Sequence, residues 1–208
     1  MQKWLNSPIY TEWSPQRVKE NPEKFWVPLI VLLCGMRPRE VCQLYQEDIK
    51  QEANIWYFDI NAQKDKSVKT LESERLVPLH PLLIELGFLK YCKSQKHERI
   101  FPSLINAGEG EGYAESCNRW VWRYNRLHIT NEKKKVPYSM RHNFSTFLTN
   151  LPNIKESLVD EITGHVREGE TRGRYAQYSL QIKYDAIASV DYGLDFSHVQ
   201  YPSSPKSN

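Results

Sequence analysis

Arginine, histidine and tyrosine follow one another over residues 138–175 in a pattern that suggests phosphate chemistry. The stretch begins with Tyr-Ser-Met-Arg-His at 138–142, continues through His165 and ends in an arginine-rich loop at Tyr175. Guanidinium groups bind the non-bridging oxygens of a phosphodiester, an imidazole transfers protons, and a phenol can act as a covalent nucleophile. The rest of the chain must supply the further residues of such a site, and the helices and strands that hold these side chains in place.

Arg37 and Arg141 are candidate phosphate ligands from two distant parts of the chain. Arg37 stands at the junction of two predicted helices, where Glu40 could orient its guanidinium group through a charge-assisted hydrogen bond. Arg141 lies one helical turn after Tyr138, beside the apolar stripe of the same helix, so its charge needs a partner. For either arginine, a surface position or an ion pair at the edge of the core is the alternative.

His165 and Tyr175 are candidates for proton transfer and nucleophilic attack. Gly164 ends the preceding predicted helix, so the backbone at His165 would be fixed, and a neutral imidazole could accept a proton. A lone histidine is more often structural than catalytic, and with twelve tyrosines in the chain any one of them is more often a core residue. Neither residue on its own therefore establishes a catalytic site.

The composition indicates one folded domain and is compatible with a nucleic-acid partner. The chain has 208 residues, 40% of them hydrophobic, and a net charge of +3. The longest apolar run, 27–34, is interrupted by Pro28 and is too short to cross a membrane, and no signal peptide is visible. The four cysteines lack the spacing of a zinc site, so reduced thiols in a cytoplasmic protein are expected.

Hydrophobic periodicity predicts a mainly α-helical domain with one small antiparallel β-sheet, an α+β fold. Residues 1–20 are expected to be an irregular approach segment, 21–195 the domain, and 196–208 a flexible tail. Helices are predicted over 22–34, from residue 38, and over 82–91, 116–128, 140–148, 154–162 and 180–190. The glycine-rich loop within 102–115 has no strand–turn–helix context, so it is interpreted as a loop.

Two segments predict strands of the sheet, which is expected to contain two or three strands. Residues 54–60 are aromatic and β-branched, and residues 75–79 form a second strand, which Pro78 places at a sheet edge. A lysine-rich connection lies between them, with Lys69 near the tip of the hairpin.

Five motifs occur along the chain in one order. They are Gly-x-Arg-x-x-Glu-x-x-x-Leu at 35–44, Lys-Thr followed by Ser-x-Arg-x-Val-Pro-Leu at 69–79, Arg141-His142, Gly164-His165 and Tyr175. This ordered set resembles the catalytic domain of the tyrosine recombinases, the phage integrase family, over residues 24–190, and is most similar to integrases of prophages and mobile elements.

The resemblance implies a role for each matched residue. Tyr175 would attack a DNA phosphodiester to give a 3′-phosphotyrosyl link, while Arg37 and Arg141 would stabilise the pentacoordinate transition state. Lys69 would protonate the leaving 5′-oxygen, and His165 would assist proton transfer at the nucleophile. No metal and no other cofactor is implied. The implied partners are double-stranded DNA and other protomers in a tetrameric synapse, with the protein associated with the nucleoid.

Two features depart from the family pattern. Tyr138 stands where the family has the histidine of His-x-x-Arg, and a tyrosine keeps a hydrogen-bond donor near the phosphate but is no base near neutral pH. His142 follows Arg141 and so is no substitute by position, although it could support the site.

Full recombinases of the family usually have an additional N-terminal domain, whereas the approach segment before the predicted domain covers only residues 1–20. The chain is therefore expected to be a catalytic fragment or truncated product.

Two related functions stay open beside a recombinase that integrates or excises a mobile element. A DNA-binding relative that has lost catalysis would account for Tyr138, and covalent trapping on DNA separates it from an enzyme. A type IB topoisomerase uses similar chemistry but would relax supercoiled DNA without site preference.

Overall fold

A computed structural model of the protein describes residues 1–70, 73–108, 112–132, 138–165 and 178–202, with the backbone alone described for Tyr138. The helices of these residues are α1 (Gln2–Leu5), α2 (Pro8–Thr11), α3 (Pro15–Glu20), α4 (Pro22–Cys34), α5 (Pro38–Cys42), α6 (Pro81–Glu85), α7 (Phe88–Ser94), α8 (Glu115–Tyr124), α9 (Tyr138–Thr149), α10 (Glu156–Thr163) and α11 (Leu180–Ala188). The strands are β1 (Ile49–Glu52), β2 (Ile55–Ile60) and β3 (Arg75–Pro78). The predicted mainly α-helical fold with a small sheet is confirmed.

Helix α4 forms the centre of the core. Every residue from Phe25 to Cys34 is buried, because the apolar run covers all sides of the helix, which packs against α5 and α9. Gly35 ends the helix as predicted, with a φ of 65°. The left-handed glycine turns the chain directly into Arg37 at the start of α5, so the core helix delivers a candidate site residue at its end.

The three strands form an antiparallel sheet in the order β1-β2-β3. Phe58 of the central strand pairs with Ile49 on one side and with Val77 on the other. Strand β3 lies at an edge, as Pro78 predicts, since proline cannot donate a ladder hydrogen bond. The connection from β2 to β3 spans residues 61–74 and carries Lys69, as predicted.

The expectation of an irregular segment over residues 1–20 is wrong. These residues form the three short helices α1 to α3, which place Trp4, Leu5 and Ile9 in the core. Proline at the first position of α2 and α3 favours a helix start, and the Ser14 hydroxyl caps α3 by accepting a hydrogen bond from the Arg17 amide.

Two predicted helices have different bounds from those expected. The segment 82–91 is divided into α6 and α7 at Gly87, whose φ is 95°. Helix α8 ends at Tyr124 and a π turn follows over Asn125–Ile129. Leu127, which lies inside the predicted helix 116–128, falls in this wider turn and is 78% exposed.

The end of the described chain packs onto the core. Tyr201, placed in a disordered end by the sequence, contacts the rings of Phe25, Trp26 and Tyr91, so that prediction is wrong for this residue. Residues 203–208 lie outside the described residues. Of the helices in the described ranges, none has both the length and the apolar character needed to cross a membrane.

The tight contact between Gly35 and α9 predicts a large stability loss for Gly35→Ala. An added Cβ would lie 2.2 Å from Cδ1 of Phe144, in addition to the left-handed φ. Gly87→Ala is the matched control, because its φ is also positive and no atom lies within 4 Å of its added Cβ. We expect urea denaturation to show that Gly35→Ala costs about 1–3 kcal/mol more than Gly87→Ala. Equal losses would contradict the contact.

Candidate active site

Four elements bring the candidate residues to one place. Arg37 caps the N-terminus of α5, Arg141 lies in α9, and His165 directly follows α10. Strand β3 begins with Arg75, which the sequence did not single out. The contacts described below connect all four residues.

Glu40 orients Arg37 as the sequence predicted. Its Oε1 accepts a hydrogen bond from Nη1 of Arg37 at 2.7 Å, and its Oε2 accepts from the Arg37 backbone amide at 2.9 Å. The second guanidinium nitrogen donates to the carbonyl oxygen of Gly164 at 2.6 Å. Arg37 keeps 16% of its side chain exposed, so it is not fully enclosed by the protein.

Arg75 holds the same carboxylate from the other side. Its Nη1 and Nη2 donate to the two oxygens of Glu40 at 3.0 and 2.9 Å, and its Nε donates to the carbonyl oxygen of Ile162 at 2.7 Å. The Arg75 side chain is fully buried. Burial by itself would raise the pKa of Glu40, but the Arg75 and then the Arg37 guanidinium lower it to about 2. Glu40 is therefore ionised at neutral pH.

Gly164 allows the two guanidinium groups to approach the end of α10. A Cβ at this position would lie 2.8 Å from Nη1 of Arg75 and 3.0 Å from Nη1 of Arg37, and the residue has a φ of 69°. Any side chain here would push the two arginines away. The glycine that ends α10 thus also brings His165 against the arginine cluster.

Arg141 and His165 form a direct contact. Arg141 is 1% exposed and donates through Nη1 to the carbonyl oxygen of Gly35 and through Nη2 to Nε2 of His165 at 3.0 Å. A guanidinium group only donates, so Nε2 is the unprotonated nitrogen and the proton lies on Nδ1. The Nδ1–H group faces the Thr163 hydroxyl oxygen at 3.2 Å, and that hydroxyl donates to the carbonyl oxygen of Val159.

Partial burial and the surrounding cations keep His165 neutral. Partial burial, followed by the positive charges of Arg141, Arg37, Arg75 and Lys69, lowers the pKa of His165 to about 4. Lys69 is exposed in the β2–β3 connection, and its positive charge makes the smallest of these contributions to the lowered pKa of His165. Of the five predicted catalytic residues, the contacts described above bring Arg37, Arg141 and His165 together around the end of α10.

This arrangement can bind an anion and accept a proton. Four cationic side chains lie close enough to depress the imidazole pKa, while the Glu40 carboxylate is already shared between two of them. The remaining positive charge favours a phosphodiester, whose oxygens suit guanidinium donors. A phosphodiester would also offset the cations and so raise the basicity of Nε2.

Three further predicted site residues are Tyr175, Tyr138 and His142. Tyr175 lies outside the described residues, as does the side chain of Tyr138. His142 is exposed, and it follows Arg141 in α9 at an angle of about 100° around the helix. Within the described ranges, no three His, Cys, Asp or Glu side chains are grouped so that they could hold a metal ion.

Arg75 is the site residue that the sequence reasoning missed. The signal was its position two residues before Val77, because alternate residues of a strand share a face and Val77 faces the core. An arginine on the inward face of a strand needs an anionic partner, and Glu40 was the acidic residue already assigned to the site.

Loss of Arg75 is expected to destabilise the fold strongly. Arg75→Met leaves Glu40 buried with one of its two cations, which costs about 3–5 kcal/mol when a buried pair is broken. The matched control is Arg119→Met, which removes an exposed pair with Glu115 and costs about 0–1 kcal/mol. The measurement is chemical denaturation at neutral pH. A double variant, Arg75→Met with Glu40→Met, should recover part of the loss, since no unpaired carboxylate remains.

The low pKa of His165 predicts an acid-sensitive share of stability. Between pH of about 6.5 and about 4 the unfolded chain binds a proton at this residue and the folded chain does not, so stability falls as the pH falls. His165→Gln should therefore lose less stability than the wild type between pH 7.5 and pH 5. Unfolding midpoints in urea at both pH values test this, and an equal loss in both proteins would contradict it. His80, whose pKa is also lowered by burial, is common to both proteins.

Comparison with known proteins supports the resemblance. The chain is 25% identical over 171 residues to a tyrosine recombinase of Pseudothermotoga lettingae, covering 81% of this chain and 54% of that protein. It is similar to the XerH site-specific recombinase bound to palindromic difH substrate in a post-cleavage complex, with a TM-score of 0.54 and 22% identity over 79% of this chain and 44% of that chain. The pre-cleavage complex with difH matches equally well, covering 92% of this chain and 49% of that chain.

These likenesses show the fold, and the chain spans about half the length of the relatives it matches. The sequence model of the phage integrase family matches residues 18–181, which is most of the chain and includes the matched motifs. The protein therefore belongs to the phage integrase family of tyrosine recombinases.

Proposed function

We propose that this chain is the catalytic domain of a site-specific DNA recombinase that cleaves and rejoins DNA through a 3′-phosphotyrosine. The observation that carries the proposal is the cluster at the end of α10, where Arg141 donates to Nε2 of His165 and Arg37 donates to the carbonyl oxygen of Gly164. These residues occupy the positions that the family motifs assign to phosphate binding and proton transfer. Integration or excision of a phage or mobile element is the biological role that the resemblance implies.

The proposed cleavage step is an in-line transfer of a phosphoryl group. The phenolic oxygen of Tyr175 forms a bond to phosphorus as the bond from phosphorus to the 5′-oxygen breaks. The phenol proton passes to Nε2 of His165, and the Lys69 ammonium group gives a proton to the departing 5′-oxygen. Arg37 and Arg141 stabilise the charge on the non-bridging oxygens.

The state of His165 in the structure fits this role. Its Nε2 accepts a hydrogen bond from Arg141, which would turn toward the bound phosphate and release the nitrogen for the phenol proton. The phosphate charge would also raise the pKa of His165 from its low value, so the imidazole becomes a better base when substrate is bound. The proposed step uses only these side chains and requires no metal or other cofactor.

Helix α8 presents a basic outer face suited to a DNA partner. Arg119 and Arg123 are exposed on it, and in the following turn the Arg126 guanidinium lies 4.2 Å from the ring centroid of the exposed Trp122. Such a face contributes salt-dependent contacts to phosphates. We further propose, from the family resemblance, that protomers assemble as a tetrameric synapse on DNA associated with the nucleoid.

Covalent trapping tests the nucleophile. The substrate is a pool of duplexes with randomised sequence, each nicked a few nucleotides beyond the cleavage position, so that the short 5′-hydroxyl fragment diffuses away. We expect the wild type to form a denaturant-resistant protein–DNA adduct, which also identifies the preferred site. Tyr175→Phe should abolish the adduct, because it lacks the attacking oxygen, and should still shift the selected DNA in a gel.

Tyr178→Phe is the matched control. The Tyr178 hydroxyl lies 2.8 Å from the Ser157 hydroxyl, and its backbone amide donates to Glu161, so this phenol is held at α10 and the variant should still form the adduct. An adduct with Tyr175→Phe that disappears with Tyr178→Phe would move the nucleophile to Tyr178. Failure of the wild type to form any adduct, with DNA binding intact, would leave a DNA-binding relative of the family that has lost catalysis.

A further inference from the structure

The β2–β3 connection is fixed to the body of the protein on one side of Lys69. Lys66, three residues before Lys69, places its Nζ 2.5 Å from Oδ1 of Asp48, and each side chain of this pair is 2% exposed. Asp48 makes two further hydrogen bonds, since its Oδ2 accepts from the Tyr45 amide at 2.8 Å and its Oδ1 also accepts from the side-chain amide of Asn61 at 3.1 Å.

The next residue in the connection is held by a second contact. The Gln43 side-chain amide donates to the Ser67 carbonyl oxygen at 2.8 Å, and its Oε1 accepts from the Ser67 backbone amide at 3.1 Å. Gln43 is 2% exposed. Its side chain forms with the Ser67 backbone the pair of hydrogen bonds that a neighbouring strand would form. Asp65 adds a third contact, because its carboxylate accepts hydrogen bonds from Tyr45, Tyr113 and Arg99.

The chain is also fixed after Lys69. Ser73 is 1% exposed, its backbone amide donates to the Thr70 carbonyl oxygen at 2.9 Å, and its own carbonyl oxygen accepts from Nη1 of Arg75 at 2.9 Å. The two ends of the connection therefore limit the range of the exposed Lys69, since a residue three positions from a fixed point lies within about 10 Å of it.

The buried position of Lys66 is not explained by stability. Removing an ammonium group and a carboxylate from water costs about as much as their attraction returns, so a buried pair is often no more stabilising than apolar residues of the same size. Lys64, two residues earlier, forms exposed contacts with Glu47 and Glu98 and carries no such cost. What the buried pair does supply is one defined position for the chain at residue 66.

We propose that the buried Lys66–Asp48 pair, together with the Gln43–Ser67 contact, positions Lys69 as the proton donor to the leaving 5′-oxygen. Lys66 is a positioning residue in this proposal, because its ammonium group is enclosed and cannot reach DNA. The proposal rests on the proposed recombinase function, in which Lys69 is the proton donor.

A leaving group that needs no proton separates a positioning role from a general loss of structure. The duplex selected by covalent trapping is made in two forms, with oxygen or with sulfur at the 5′-bridging position of the cleaved bond. Sulfur departs with the bonding electron pair as a thiolate, because thiols are far more acidic than alcohols, so cleavage of this form does not require Lys69. Adduct formation is followed over time with both substrates.

We expect Lys69→Met to lose about 10²–10⁴-fold in cleavage rate on the oxygen substrate and to regain a rate near the wild-type value on the sulfur substrate. Lys66→Met should lose about 10–100-fold on the oxygen substrate, as misplacement of a catalytic group does, and should be restored by sulfur in the same way. Lys64→Met is the matched control, because it removes a lysine of the same connection, and it should cleave both substrates at the wild-type rate.

Gln43→Leu is a second test of the proposal, which applies even if Lys66→Met does not fold. It removes the hold on Ser67 and leaves the Lys66–Asp48 pair intact, so it should show the same restoration by sulfur, with folding of each variant checked by thermal unfolding. Equal losses on both substrates for folded Lys66→Met and Gln43→Leu would overturn the proposal, as would wild-type rates for both. Restoration of Lys66→Met without restoration of Lys69→Met would make Lys66 the proton donor instead. A wild type inactive on both substrates would overturn the recombinase function itself.

Discussion

The candidate site depends on one carboxylate that is shared between two guanidinium groups. Glu40 is 3% exposed and binds Arg75 through both of its oxygens while it also holds the side chain and the backbone amide of Arg37. Without this anion, two arginines would face each other in a partly buried space, where the repulsion between like charges is poorly screened. The same contacts connect α5 with β3 and, through the carbonyl oxygens of Ile162 and Gly164, with the end of α10.

The excess of positive charge around this carboxylate determines the chemistry that the site favours. His165 lies within the field of the cations, and its low pKa keeps Nε2 free of a proton at neutral pH. A phosphodiester would meet donors of the right geometry and would partly neutralise the field. In the proposed reaction, binding of the phosphodiester would therefore raise the basicity of the imidazole through electrostatics.

The sequence predicted helices and strands well where interactions between neighbouring residues determine them. The apolar run of α4, the helix stop at Gly35 and the edge strand with Pro78 were confirmed, because periodicity, left-handed glycine and the missing proline donor act within a few residues. Predictions failed where distant parts of the chain compete. Residues 1–20 have little periodicity of their own, yet they fold into three helices because their aromatic and aliphatic side chains pack against the core.

The sequence by itself determined the family motifs, their order and the identity of Arg37, Lys69, Arg141, His165 and Tyr175 as candidate residues. It also predicted the contact between Glu40 and Arg37, which are three residues apart. Only the tertiary structure decided that Arg75 also binds Glu40, that Arg141 contacts Nε2 of His165, and that Lys66 is buried against Asp48. These contacts join residues 18 to 35 positions apart, and no local pattern specifies which buried charge will meet which partner. That choice follows from the packing of the helices and the sheet around α4.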